Sequence, residues 1–464
     1  MPIDPPAPDD LDAEALPGIA ASLIAEQLRR DELTPMRPYR DAQALRAELP
    51  LALDGEPLPW PRTLELLREV LAATPSTTSR RFFNQLFGGR DLVATLAELT
   101  TVLSNSPMHT FKASGVQVLI EREVLRRMAG LAGLTDGDGA ITPGGSLSNL
   151  MGMLIARNEA IEGTREAGLP GTPRRIYTSA VSHYSVRKAA GILGLGRGAV
   201  QRIAVDEAGR MRPEALAEAI ERDRADGVIP VMVNATAGTT VLGAFDPLPA
   251  LAEVAERHGV WLHVDAAYGG SVLLSSRHRH LLEGSERADS LTWDAHKLLG
   301  VPLTCSALLT RRPGLCAAHL DEPAGYLFQE DAFYDPGRGS LQCARRNDAL
   351  KLWLSWKHRG DAGLGRRIDR LFELAAHARA RIEAEPRLRL VRDPASVNLC
   401  FEVAGVGARR LCRELWERGI AKIGHAEVDG REVVRWVLVD PAVAPDDVDA
   451  VLRELLELAA TLAS

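Results

Sequence analysis

Gly259-Val-Trp-Leu-His-Val-Asp-Ala-Ala-Tyr-Gly-Gly270 is an apolar run that ends in an acid and then in small residues. It reads as a buried parallel strand whose C-terminal end carries Asp265, since strands covered on both faces lose the apolar–polar alternation. Ligands of open α/β sheets bind at such strand ends. The flanking sequence repeats the pattern. Val228-Ile-Pro-Val-Met-Val233 leads into Asn234-Ala-Thr-Ala-Gly-Thr-Thr240, and Ile176-Tyr-Thr178 leads into Ser182-His-Tyr184. Strands alternating with helices from about residue 96 to 345 predict a doubly wound, mostly parallel sheet.

Downstream, Ser290-Leu-Thr-Trp-Asp-Ala-His-Lys297 brings a His-Lys pair to another strand end. Alone, Lys297 reads as a surface lysine. Beside Asp265 it reads differently, because a buried amine condenses with aldehydes and a carboxylate pairs with a protonated pyridine nitrogen. Pyridoxal phosphate enzymes need that combination. Ala266 and Ala267 leave room for a flat ring, and His183 can stack on it. Thr236 can bond the cofactor or help place Asp265, although a Thr/Gly turn is the plainer reading of its segment.

Gly139-Ala-Ile-Thr-Pro-Gly-Gly-Ser-Leu-Ser-Asn149 precedes Leu150-Met-Gly-Met-Leu-Ile-Ala-Arg157, a glycine turn opening a helix. Free backbone N–H groups and the positive end of a helix attract phosphate, with the Ser146 and Ser148 hydroxyls at hand. An ordinary turn and helix cap would look the same.

Taken in order, these segments resemble the group II pyridoxal-phosphate-dependent amino-acid decarboxylases, with the closest likeness to the glutamate, cysteine sulfinate and aspartate branch. The resemblance extends from Arg81-Phe-Phe-Asn-Gln-Leu86 through Val301-Pro-Leu-Thr-Cys-Ser-Ala307 and Gly325-Tyr-Leu-Phe-Gln329 to Leu341-Gln-Cys343. It implies a fold-type I, aspartate-aminotransferase-like enzyme that works as a homodimer with its active site at the subunit interface. Lys297 then bonds the cofactor aldehyde, Asp265 meets the pyridine nitrogen and His183 stacks on the ring. His296 sits near the phosphate with Ser146 and Ser148. Arg435, in Val433-Val-Arg-Trp-Val437, aligns with the arginine that holds the substrate α-carboxylate.

The resemblance also places Tyr334, in Gln329-Glu-Asp-Ala-Phe-Tyr-Asp335, as the loop tyrosine that returns a proton to Cα. Closing loops exclude water from such steps. The following Asp335–Ser340 segment is shorter than in animal relatives. Gln85, Phe87, Pro107 and His109 fall in the side-chain pocket. A bulky Phe87 shortens that pocket, favouring L-aspartate or cysteine sulfinate over glutamate by the amount one methylene commands. His109 suits a carboxylate or sulfinate, or equally an amine or hydroxyl, and Lys112 stands where relatives carry an acid. Glutamate, 2,4-diaminobutyrate, an aminotransferase and a decarboxylation-dependent oxidase are the alternatives. Tyr334 speaks against the oxidase.

Composition agrees. The 464 residues are 46% hydrophobic and 25% charged with a net charge of −7, which gives no basic stripe for nucleic acid. Five cysteines in no ligand spacing indicate neither a zinc site nor a disulfide framework. Met1–Asp10 carries no leader pattern and no run is long enough to span a membrane, so a cytoplasmic protein is expected. Residues 1–95 read as a helical arm that packs on a partner subunit, with Ile19–Leu28 amphipathic. Residues 96–345 read as the cofactor domain, and residues 346–464 as a small α+β domain closing with the helix 446–462.

Overall fold

The computed structural model describes residues 12–33, 36–53, 55–329 and 331–463; the Met1–Asp10 stretch lies outside them. The first strand, β1 (Phe82–Phe83), is short. Seven strands follow: β2 (Asp138–Thr142), β3 (Arg174–Ser179), β4 (Val200–Ile203), β5 (Ile229–Thr236), β6 (Trp261–Asp265), β7 (Ser290–Asp294) and β8 (Ser306–Thr310). They form one sheet in the order β2-β8-β7-β6-β5-β3-β4. The five from β7 to β4 run parallel, and β8 is antiparallel to both its neighbours.

Alternate side chains along each strand enter different cores, as the two-residue period demands. Ile176, Met232, Trp261 and Leu308 join the core under the helix Gly145–Ala160. Tyr177, Val233, Leu262 and Leu309 join the larger core on the opposite face. Both faces being covered explains why all five residues of β6 are buried. The chain runs outward from β3 to β4 and then returns to β5 on the other side of β3. That reversal opens a crevice at the strand C-termini, where such sheets take ligands.

The remaining strands, β9 (Leu388–Leu390), β10 (Asn398–Val403), β11 (Lys422–Val428) and β12 (Arg431–Val437), make a second sheet in the order β1-β11-β12-β10-β9. Phe82 pairs with Lys422 in parallel, so the stretch before residue 95 is woven into the C-terminal sheet. A long helix, Ala349–Glu383, breaks its helical geometry at Gly360 (φ 60°). The helix Pro445–Ala463 closes the chain. No helix among the described residues is long and apolar enough to cross a membrane.

Candidate active site

A cavity of about 380 Å³ opens where β3, β5 and β6 end. Asp265, the last residue of β6, is 5% exposed and lies on its wall. Its Oδ2 accepts from Asn149 Nδ2 at 2.8 Å and its Oδ1 from the Ala267 N–H at 3.2 Å, so both oxygens are oriented. Thr236 ends β5 beside it. The Thr236 hydroxyl is buried in the cavity wall without a protein partner, which fits a ligand atom. His183 follows β3, and its Nδ1 accepts from the Ser185 N–H at 3.3 Å. Burial holds His183 below its ordinary pKa, giving a neutral ring suited to stacking.

Lys297 leaves β7 through a turn in which its N–H donates to Asp294 O. Its Nζ lies 3.1 Å from Asp294 Oδ2, and both residues face the cavity. His296 also lines it. The His296 Nδ1 sits against the Cys305 backbone, with Nε2 3.7 Å from Asp294, and burial pushes its pKa down. At the same end, Gly144 (φ 131°) leads into the helix that starts at Gly145. A Cβ at Gly145 would fall 2.7 Å from the Asp294 carboxylate and 3.1 Å from the Ala267 methyl. Only glycine keeps this cradle open, and it brings free helix N–H groups to the wall. Ser146 stands there too.

Ser148 does not. It is fully buried behind the wall, 2.6 Å from Thr142 Oγ1 and 2.8 Å from Ser306 Oγ, where it ties β2 and β8 to the helix.

On the opposite side Arg435 enters from β12 and is 8% exposed. Its Nε donates to Thr240 O and its Nη1 to Asn84 O, each at 2.9 Å. Among the described residues its buried Nη2 has no partner and no acid neutralises the guanidinium. A buried cation whose Nη2 group is left open calls for an anionic ligand. Gln85 and Phe87, just after β1, line the cavity next to it.

Tyr334, Pro107 and His109, expected at the site, lie away from this wall, as does Lys112. Tyr334 packs on Phe111 with ring centroids 5.6 Å apart and lies under the Arg122 guanidinium. His109 O accepts from Gly337 N–H, Pro107 O from Arg345 N–H, and Lys112 Nζ donates to Gln329. The loop around residue 334 is thereby stitched to residues 107–112. Nearby helices expose apolar side chains, among them Leu96, Leu103 and Val116.

Sequence reading misses Asp294 and Asn149, though both stand inside quoted motifs. Asp294 was detectable: three residues before a reactive lysine, at a turn, it can reach the same amine.

The residues present fit pyridoxal phosphate, with an amine, a carboxylate, a stacking imidazole, a glycine cradle and an unpaired arginine around one cavity. Comparison with known proteins gives the same answer. The family described as "Pyridoxal-dependent decarboxylase conserved domain" matches residues 42–404. Cysteine sulfinic acid decarboxylase of Homo sapiens is 39% identical over 96% of this chain and 99% of its own length. Acidic amino acid decarboxylase GADL1 of Mus musculus is 38% identical over 90% of this chain and 80% of its own. The crystal structure of mouse CSAD superposes with a TM-score of 0.91 at 38% identity, covering 97% of this chain and 99% of that one. Oryza sativa TDC with PLP and tryptamine gives 0.90 at 26% identity, covering 98% and 99%. The chain therefore belongs to the pyridoxal-dependent decarboxylase family, as a fold-type I amino-acid decarboxylase that uses pyridoxal phosphate.

Proposed function

We propose that this enzyme removes the α-carboxylate of a small acidic L-amino acid, with L-aspartate and cysteine sulfinate as its substrates. The observation that carries this is the open Nη2 of Arg435, a buried guanidinium at the cavity with no acid to neutralise it. Phe87 on the wall supports a short side chain, and the named substrates of the relatives support an acidic one.

When bound, pyridoxal phosphate supplies an aldehyde that condenses with amines and a ring that draws electrons from Cα. Lys297 would offer the amine that holds the cofactor. Asp265 would accept from the pyridine N–H, and His183 and Ala267 would help hold the ring. Thr236 offers its unpaired hydroxyl. Ser146, the helix N–H groups and His296 hold the phosphate. Arg435 grips the α-carboxylate and so fixes which bond at Cα is aligned to break. Tyr334 Oη gives Cα the proton that replaces carbon dioxide, and Gln85, Phe87, Pro107 and His109 frame the side chain.

Within one chain Tyr334, Pro107 and His109 stand off the cavity wall, and the helices Leu92–Ser104 and Val116–Leu131 expose Leu96, Leu103 and Val116. This supports a homodimer in which a second copy completes the site, with residues 1–95 as its arm, 96–345 as the cofactor domain and 346–464 as the small domain. Five unpaired cysteines support a cytoplasmic setting.

Arg435→Met tests the carboxylate grip. The variant should take up pyridoxal phosphate with the wild-type absorption spectrum yet release no carbon dioxide above background. Full turnover by the variant would remove Arg435 from the reaction.

A further inference from the structure

Behind Asp265 a line of buried side chains runs along one face of the sheet, beneath the helix Gly145–Ala160, toward the start of β6. Trp261 Nε1 donates to Ser290 Oγ at 2.9 Å. An indole nitrogen can only donate, so the Ser290 hydrogen is left for His263 Nδ1, 2.8 Å away. The His263 proton therefore sits on Nε2, which faces Asn149 Oδ1 at 3.1 Å, with Thr292 Oγ1 a more distant neighbour at 3.4 Å. The Asn149 amide then turns its Nδ2 to Asp265 Oδ2 at 2.8 Å and to Ser185 Oγ at 3.1 Å. A carboxylate accepts only, which fixes the amide in this orientation. With a pure donor at one end and a pure acceptor at the other, every hydrogen bond between them points the same way.

The surroundings are shaped to this line. His263 and Ser290 have no exposure and Asn149 has 2%. A Cβ on Gly152 would stand 2.8 Å from the His263 ring, so a glycine inside a helix keeps the imidazole's place. Burial also holds His263 down to a pKa of about 4, well under the ordinary histidine value, and the ring stays neutral.

We infer that Asn149 and His263 are positioning residues for the decarboxylation, aiming and holding the Asp265 carboxylate through a one-way hydrogen-bond line that starts at Trp261. The inference rests on the reading that Asp265 meets the pyridine nitrogen. Side chains behind a charged group that fix its rotamer govern how well it serves its ligand.

The test uses holoenzyme reconstituted with pyridoxal phosphate carrying ¹⁵N in the ring, whose chemical shift reports protonation of that nitrogen, together with cofactor affinity from fluorescence quenching. In His263→Leu and Asn149→Leu the signal should move toward neutral pyridine and the affinity should fall roughly tenfold or more, the effect of losing a hydrogen bond to a charged group. His263→Gln should keep both values, because its amide offers one acceptor and one donor in similar places. Wild-type values in the leucine variants would overturn the inference. So would a His263→Gln variant as impaired as His263→Leu, since the role would then be packing alone. If neither leucine variant folds, Ser290→Ala carries the test: a shift in the same direction supports the line, and unchanged values overturn it. Asp265→Asn separates the two levels. If it moves the signal while the line variants do not, only this inference fails; if it leaves the signal unchanged, the reading of Asp265 itself fails.

Discussion

Lys297 Nζ stands 3.1 Å from Oδ2 of Asp294, a carboxylate with 1% exposure on the wall of the same cavity. The ion pair draws the lysine toward the glycine cradle at Gly145, where a phosphate would seat. Borohydride reduction of holoenzyme followed by peptide mass mapping should therefore place the pyridoxyl group on Lys297. A label on Lys351, the fully buried lysine held by Glu98 and Asp348, or on any other lysine would refute the assignment.

Tyr334→Phe should bind cofactor and substrate normally and lose amine formation by about 10²–10⁴-fold, the usual contribution of a general acid. Amine output at the wild-type rate would take Tyr334 out of the reaction.

Phe87→Ser should open space at the end of the substrate side chain. Activity on glutamate relative to aspartate should rise within the roughly 10–200-fold that one methylene commands. His109→Phe should raise KM for aspartate and cysteine sulfinate with less change in kcat, as lost uniform binding does. If both variants rank substrates as the wild type does, the side-chain pocket lies elsewhere.

How much of this site could be read from sequence depends on the distance between partners. Asp265 ends an apolar strand and Lys297 and His183 stand in the turns that follow two others, and the sheet's topology gathers strand ends into one crevice, so each was visible in its own segment. Asn149 was not. Its role comes from Asp265, 116 positions away, and from His263, which reads as one more interior strand residue. Ser146 and Ser148 looked equivalent in the motif. Two helical steps turn the direction by about 200°, which puts Ser146 on the cavity and Ser148 against the sheet. The β1–β11 pairing joins residues some 340 apart through two short segments, and no local pattern announces it.

Acid should destabilise the fold through His263. Its pKa is about 4 when folded against an ordinary 6.5, so the folded state binds fewer protons and stability falls as pH drops through that window. By linkage the loss is on the order of 3 kcal/mol, complete near pH 4 and absent above about pH 7. Asp246, raised to about 6 by burial, works in the opposite sense, gaining stability as it takes up a proton below that pH. Comparing wild type with His263→Gln cancels the Asp246 effect. In urea unfolding of the apoenzyme, the stability difference between the two should shift in favour of the variant by about 2–3 kcal/mol from pH 7 to pH 4.5. An unchanged difference would mean that His263 titrates normally in the folded state.

Carbon dioxide and amine released by purified holoenzyme, measured together on L-aspartate, cysteine sulfinate, L-glutamate and the aromatic L-amino acids, test the acidic-substrate reading most directly. Equal amounts of both products should appear from aspartate or cysteine sulfinate, with a higher kcat/KM than for glutamate and none from the aromatic substrates. Preference for glutamate or an aromatic amino acid, or aldehyde in place of amine, would contradict it.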